Sequence, residues 1–222
     1  MHLHLNGFGF WCTPSFLCMV NLVQVEEELK KRWSRRFNWG EKIVSIWDSQ
    51  TSFVFGFDRF NDVNDEIHAR LSSHARFNEI RDYALSRWYI FISNRSLASI
   101  FISHPLVRQL KGDADFYIDG LSFQLKAIDF PSNSPLKIEE AKKDKQAFLD
   151  WWMREHHESD LSKNTIYLFL QSTTAENWKL RAELGLLKQF IYEYLDGFSR
   201  KNLLNSRTKS GLLYTEVLFF EK

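Results

Sequence analysis

Apolar residues recur at helical spacing in several stretches of the chain. Residues 23–37 carry an apolar side chain at every fourth position, which predicts an amphipathic helix. Residues 64–88 show a similar stripe, and Asp65 and Glu66 suit the opening turn of a helix there. Further helices are predicted over residues 136–156 and 175–194. The run 89–102 is apolar throughout, and its pattern fits a buried helix or strands equally well.

Shorter apolar segments predict strands. Residues 42–47 and 52–57 flank a polar Asp-Ser-Gln, a pattern typical of a hairpin. A second hairpin is predicted for residues 114–118 and 121–128, because the intervening Asp-Gly tolerates the positive φ of a two-residue turn. Residues 165–170 lack alternation, as in a central strand covered on both faces, and a last strand is expected over 212–220. The order of these elements indicates a mixed α/β fold.

The second hairpin separates polar from apolar side chains. Pairing outward from the turn sets Asp115 opposite Gln124 and Asp113 opposite Lys126. Because side chains alternate along a strand, these four residues share one face. The other face carries the apolar residues Phe116, Ile118, Phe123 and Leu125. Two acids, an amide and a lysine within roughly 5–8 Å of each other can hold a divalent cation and set an ammonium group beside it.

The run Asp113-Ala114-Asp115, followed by Gln124-Leu125-Lys126, resembles the motif of the PD-(D/E)xK nuclease superfamily. The resemblance implies that Asp115 is the first acid and Lys126 the motif lysine, with Gln124 where Asp or Glu is usual. Gln is a variant within that family. A neutral amide binds a hard cation more weakly than a carboxylate, so Asp113 or another acid is expected to compensate.

In that family an upstream helix contributes a further acid. The resemblance therefore implies a role for Glu79, with Asp82 one helical turn later as the alternative. The implied cofactor is Mg²⁺, held by Asp115, Gln124, Glu79 and Asp113, with the main-chain carbonyl of Leu125 as a further ligand. Lys126 would then orient or help deprotonate the attacking water and stabilise the charge that builds on the phosphate.

The resemblance covers residues 64–170 and implies a restriction-endonuclease-like core, a mixed β-sheet flanked by helices. We expect a single nuclease domain over residues 1–222. The implied activity is that of a type II site-specific deoxyribonuclease, a homodimer acting on double-stranded DNA. A DNA-repair or mobile-element nuclease is the nearest alternative. Outside the enzymes, the sequence also fits a nucleic-acid-binding module with a decayed site, or an interaction protein whose polar hairpin face is merely solvated.

The charge distribution bears on a DNA partner. The chain has 29 Lys and Arg against 28 Asp and Glu, a net charge of +1, so any attraction to a polyanion must be local. Cations cluster over residues 30–42 and 200–209, although each cluster alone also fits a solvated helix end. The residues expected to contact DNA are Lys30, Arg35, Arg200, Lys201, Arg207 and Lys209.

The cysteine count, the lengths of the apolar runs and the N-terminal residues together predict a cytoplasmic protein. Two cysteines, Cys12 and Cys18, cannot form a disulfide framework. No apolar run reaches the length of a membrane span. Residues 1–25 contain no charged side chain and Pro14 interrupts their apolar stretch, which does not match a signal peptide. Met19 offers a second start codon, in which case residues 1–18 would be a gene-start artefact.

Overall fold

The computed structural model describes residues 21–35, 37, 45–109, 114–156, 163–174, 176–208 and 211–222. The helices are α1 (Leu22–Lys30), α2 (Ser45–Gln50), α3 (Phe60–Leu71), α4 (Phe77–Ile102), α5 (Ile138–Lys143), α6 (Lys145–Glu155) and α7 (Leu184–Asp196). The strands are β1 (Val107–Gln109), β2 (Phe116–Ile118), β3 (Leu121–Asp129), β4 (Thr165–Gln171), β5 (Leu204–Thr208) and β6 (Gly211–Glu221). Short 3-10 helices cover Lys31–Ser34, Ser52–Gly56, Asn177–Ala182 and Arg200–Asn202.

Within the described residues the strands form one six-stranded sheet in the order β1-β2-β3-β4-β6-β5. Strands β1, β2 and β3 pair antiparallel. Strand β4 runs parallel to both β3 and β6, and β5 closes the other edge antiparallel to β6. The predicted mixed α/β architecture, a mixed sheet flanked by helices, is confirmed.

The chain divides into two compact units. Among described residues, one unit comprises 98–180 and 186–222 and holds the whole sheet, and the other comprises 21–97 and 181–185. In the sheet unit, α6 covers the sheet with aromatic side chains: Phe148 lies 4.9 Å from Phe169 and 5.3 Å from Phe219 between ring centroids. The helical unit has its own core, which includes Leu29, Val54 and Ile67. The expectation of a single domain stays a prediction.

The hairpin predicted for 42–57 is wrong over its described residues, 45–57. These residues form α2 and the 3-10 helix Ser52–Gly56 instead. Both the main-chain nitrogen and the hydroxyl of Thr51 bond to the Trp47 carbonyl oxygen, at 3.0 and 2.7 Å. Trp47 is buried and packs 6.0 Å from the Tyr83 ring. Tertiary packing of Trp47 thus overrides the local alternation. Residues 42–44 lie outside the described residues.

Four predicted helices have other bounds in the structure. Over the described part of 23–37, the helix is α1 followed by the 3-10 helix Lys31–Ser34. The helix expected over 64–88 is two helices, α3 and α4, separated by residues 72–76, and α4 continues through the ambiguous run 89–102. The helix expected over 136–156 is broken at Asp144, whose carboxylate accepts the Ala147 N–H at 2.9 Å and caps α6. The helix expected over 175–194 begins as a 3-10 turn before α7.

The strands β4 and β6 lie where they were predicted, within a residue at each end. Strands β1 and β5 were not predicted. Each is an outer strand of the sheet, and the three residues of β1 are too few to show a period in the sequence.

Candidate functional site

The hairpin formed by β2 and β3 has the predicted register. Phe116 pairs with Phe123, Tyr117 with Ser122, and Ile118 with Leu121. The turn residues Asp119 and Gly120 have φ of 47° and 77°, as a tight turn between antiparallel strands requires. The apolar face is confirmed, since Phe116, Ile118 and Phe123 are fully buried.

Asp115 lies where the regular ladder ends, immediately before β2. Its main-chain N–H donates to the Phe123 carbonyl at 2.9 Å, and its carboxylate Oδ2 accepts the Leu125 N–H at 2.7 Å. The side chain therefore takes the place of a main-chain acceptor and bends toward β3. This contact holds the Asp115 carboxylate beside the Gln124-Leu125-Lys126 segment.

The environment of Asp115 opposes its ionisation. Burial raises the pKa of the Asp115 carboxyl above its ordinary value, while the Leu125 hydrogen bond and the positive charge of Lys163 act in the opposite direction. The structure thus keeps a half-buried carboxylate whose charged form is disfavoured by loss of water. A bound cation is one group that would reverse this balance.

Gln124 and Lys126 lie on the polar side of β3, where this strand pairs with β4. The Gln124 N–H donates to the Asn164 carbonyl at 2.9 Å, and Gln124 is the register partner of Thr165. Lys126 is the register partner of Tyr167, and its Nζ lies 5.5 Å from the centre of the Tyr167 ring. This is within the range of a cation–π contact, which orients the ammonium group without neutralising its charge.

Sequence reasoning missed two residues that precede β4. Asn164 donates from Nδ2 to the Ser122 carbonyl at 3.0 Å and accepts the Tyr214 N–H at 2.9 Å through Oδ1. The positive charge of Lys163, its neighbour, opposes the rise that burial causes in the pKa of the Asp115 carboxyl. The available signal was the polar pair Lys-Asn directly before a buried strand, at the end where β4 meets β3.

The other acids expected at the site belong to the helical unit or are not described. Glu79 is exposed in the first turn of α4, in the helical unit, where Arg76 Nε donates to it at 3.0 Å and lowers the pKa of its carboxyl. Its alternative, Asp82, pairs with Arg81 at 3.3 Å. Asp113 lies outside the described residues. The structure thus brings Asp115, Gln124 and Lys126 together, and the roles given to Glu79 and Asp113 stay predictions.

The cations expected to contact DNA have varied surroundings. Lys30 pairs with Glu26 at 2.6 Å and with Glu183 at 3.3 Å. Arg200 pairs with Asp119 at 2.6 Å and also bonds to its carbonyl, so this guanidinium clamps the hairpin turn. Lys201 is exposed and Arg35 is half-buried. Lys209 lies outside the described residues, as does the side chain of Arg207.

The oxygen atoms near Asp115 fit a hard cation. Carboxylate, amide and main-chain carbonyl oxygens come from Asp115, Gln124 and Leu125, and Mg²⁺ characteristically uses one or two carboxylates while it keeps several waters. In the part of the chain that the structure describes, no three His, Cys, Asp or Glu side chains form a metal-holding group.

Comparison with known proteins returned no match to any family model, curated protein or solved structure. Among the described residues, no helix combines the length and apolarity needed to cross a membrane.

Proposed function

We propose that this protein is a Mg²⁺-dependent endonuclease that hydrolyses phosphodiester bonds of double-stranded DNA, as a type II restriction enzyme does. The observation that carries the proposal is the cluster at the β2–β3 hairpin. Asp115 is bonded to the main chain of Leu125, between Gln124 and Lys126, and the latter two are the register partners of Thr165 and Tyr167 on β4. One carboxylate, one amide and one ammonium group at such a point suit cation and phosphate binding.

The order of elements supports the same proposal. Helix α4 is followed by the antiparallel strands β1, β2 and β3, then by helices α5 and α6, then by β4 parallel to β3. A helix, a sheet with the motif hairpin, a helix and a further strand is the arrangement that the family resemblance implies. Strands β5 and β6 extend the sheet beyond β4.

The chain's own residues have distinct roles in the proposed reaction. Hydrolysis joins a water oxygen to phosphorus, breaks the bond from phosphorus to one sugar oxygen, and releases a proton from the water. Asp115 and the Gln124 amide oxygen would hold Mg²⁺, which would polarise the phosphate and lower the pKa of a water. The Lys126 ammonium stabilises the negative charge that builds on the phosphate oxygens.

The test is cleavage of phage DNA by purified protein in Mg²⁺ and in chelator. The variants are Asp115→Asn and Lys126→Ala, with Asp150→Asn, an exposed acid on α6, as the matched control. We expect discrete fragments from the parent and from Asp150→Asn in Mg²⁺ only. Both site variants should lose at least about 100-fold in rate, the scale of removing an electrostatic stabiliser.

Three contrary results separate the competing functions. A smear that needs both Mg²⁺ and Asp115 supports a repair or non-specific nuclease and contradicts site-specific cleavage. Protein that binds DNA and cuts none under any condition contradicts the nuclease proposal and favours a binding module. Cleavage that survives Asp115→Asn would show that the site lies elsewhere.

A further inference from the structure

The position of Lys163 follows from the pairing of β3 with β4. Gln124 is the register partner of Thr165, and its N–H bonds to the Asn164 carbonyl at 2.9 Å. Carrying this parallel register two residues back sets Lys163 beside Ser122. Lys163 itself lies at a bend just before β4, and its positive charge acts on the Asp115 carboxylate. The lysine therefore lies at the end of β4 that adjoins the hairpin.

The segment that carries Lys163 is fixed by neighbouring strands on both sides. The side chain of Asn164 bonds to the Ser122 carbonyl of β3 at 3.0 Å and to the Tyr214 N–H of β6 at 2.9 Å. The Thr165 hydroxyl donates to the Lys163 carbonyl at 3.1 Å. Lys163 is itself half-buried. Lys163 is thus followed directly by a residue that is bonded to both neighbouring strands.

The charges around this point favour an anion. Lys163 acts on the Asp115 carboxylate electrostatically, and Lys126 lies two residues from Gln124 on the same face of β3. Lys163 and Lys126 therefore contribute two positive charges along the paired strands β3 and β4. Addition of a divalent cation would make the local charge more positive still, which suits a phosphodiester with its negative charge.

We propose that Lys163 is a second phosphate-binding cation of this site, which holds a non-bridging oxygen of the DNA backbone beside Lys126. This inference rests on the proposed nuclease function and adds a residue that the motif does not contain. Lys163 holds the substrate, whereas Asp115 and Gln124 hold the metal.

The experiment measures binding of a labelled DNA duplex in chelator over a series of salt concentrations, and Mn²⁺ binding separately. The variants are Lys163→Gln and Lys163→Arg. The matched control is Lys188→Gln, which removes a cation that lies over the Tyr192 ring on α7. Lys163→Gln should weaken duplex binding roughly tenfold and lower the slope of log affinity against log salt by about one, as loss of one phosphate contact does. Lys163→Arg should restore most of both.

Mn²⁺ binding separates a phosphate contact from a structural role. Lys163→Gln should bind Mn²⁺ as tightly as the parent or more tightly, because it removes a positive charge near Asp115. Duplex affinity and salt slope equal to those of Lys188→Gln would overturn the inference. So would a joint loss of Mn²⁺ binding and thermal stability, which would make Lys163 a support of the fold.

Failure of the nuclease proposal gives a different result. In one such result the parent protein neither binds Mn²⁺ nor cuts DNA, while Lys163→Gln still lowers the salt slope of duplex binding. This result contradicts the nuclease proposal and supports Lys163 as a phosphate contact. In the opposite result the parent cuts DNA, and Lys163→Gln has the same salt slope and the same cleavage rate as the parent. This result contradicts only the role proposed for Lys163.

Discussion

The charge of Asp115 lowers the stability of the folded protein but suits the proposed binding of a cation. Its carboxylate is half-buried, and burial raises its pKa even though Leu125 donates a hydrogen bond to it. Keeping the charge at neutral pH therefore costs the folded protein free energy that the unfolded chain does not lose. A neutral side chain at this position would avoid that cost. We expect a carboxylate at such a position where its charge binds a cation.

Asp115→Asn should accordingly stabilise the metal-free protein at neutral pH. The amide oxygen can still accept the Leu125 N–H, and the penalty for burying a charge disappears. Because the folded-state pKa of Asp115 is raised, the parent loses stability as pH rises through the carboxyl's ordinary value of 3.8 and toward its folded value. The gain from the substitution should therefore be full at pH 7 and vanish in acid.

The measurement is thermal unfolding of parent and variant in chelator across pH. Asp150→Asn, on the exposed surface of α6, should leave the midpoint unchanged at every pH. A lower midpoint for Asp115→Asn at pH 7 would mean that the Asp115 charge supports the fold, and would contradict its assignment as a residue kept for binding.

At the level of elements, the β2–β3 turn positions the whole site. Gly120 has φ of 77°, which an L side chain adopts only with strain, and an added Cβ would lie 3.2 Å from Arg200 Nη2. Gly120→Ala should therefore destabilise the protein by about 1–2 kcal/mol, the cost of a left-handed residue. The strain would also disturb the Arg200 clamp on Asp119 and, through the hairpin, the register of Gln124.

The control for this prediction is Gly56→Ala. An added Cβ at Gly56 meets nothing within 4 Å, and its φ is not in the left-handed region. Its free energy of unfolding, measured by urea titration, should match or slightly exceed that of the parent. Equal effects at the two glycines would show that turn conformation does not limit stability.

Across the whole protein, metal binding should appear as stability. An ion that binds the folded chain alone stabilises it by mass action, by about 2.7 kcal/mol when its free concentration is 100-fold above the dissociation constant. We expect Mn²⁺ or Mg²⁺ to raise the unfolding temperature of the parent and of Asp150→Asn. The same ions should leave Asp115→Asn unchanged. A rise of equal size in Asp115→Asn would move the metal site away from the hairpin.

The net charge of +1 gives this molecule no general attraction for DNA. Any affinity must come from local groups such as Lys126, Lys163 and the exposed Lys201. Lys30 and Arg200 contribute less than their charge suggests, because they would have to leave Glu26 and Asp119 to meet a phosphate. Which cations are available is thus a property of the folded chain, not of its composition.

Local patterns in the chain were sufficient to predict the hairpin, its register and the buried strands. The Asp119-Gly120 turn is local chemistry, and a period of two then assigns every side chain of β2 and β3 to a face. This was enough to place Gln124 and Lys126 on one face, whereas Asp115 lies before β2 and reaches β3 through its bond to the Leu125 N–H. The uninterrupted apolar run of residues 165–170 predicted β4 in the same way, because such a run is typical of a strand that is buried on both faces.

The remaining features depend on contacts between residues far apart in the chain. The segment 45–57 became helical because Trp47 is buried against Tyr83, a contact distant in sequence. Lys163 came to the site because β4 pairs in parallel with β3 across the intervening helices α5 and α6. Parallel pairing has no turn to set its register, so local patterns cannot indicate which residues meet. The candidate site therefore has a local half that the sequence predicts and a non-local half that only folding assembles.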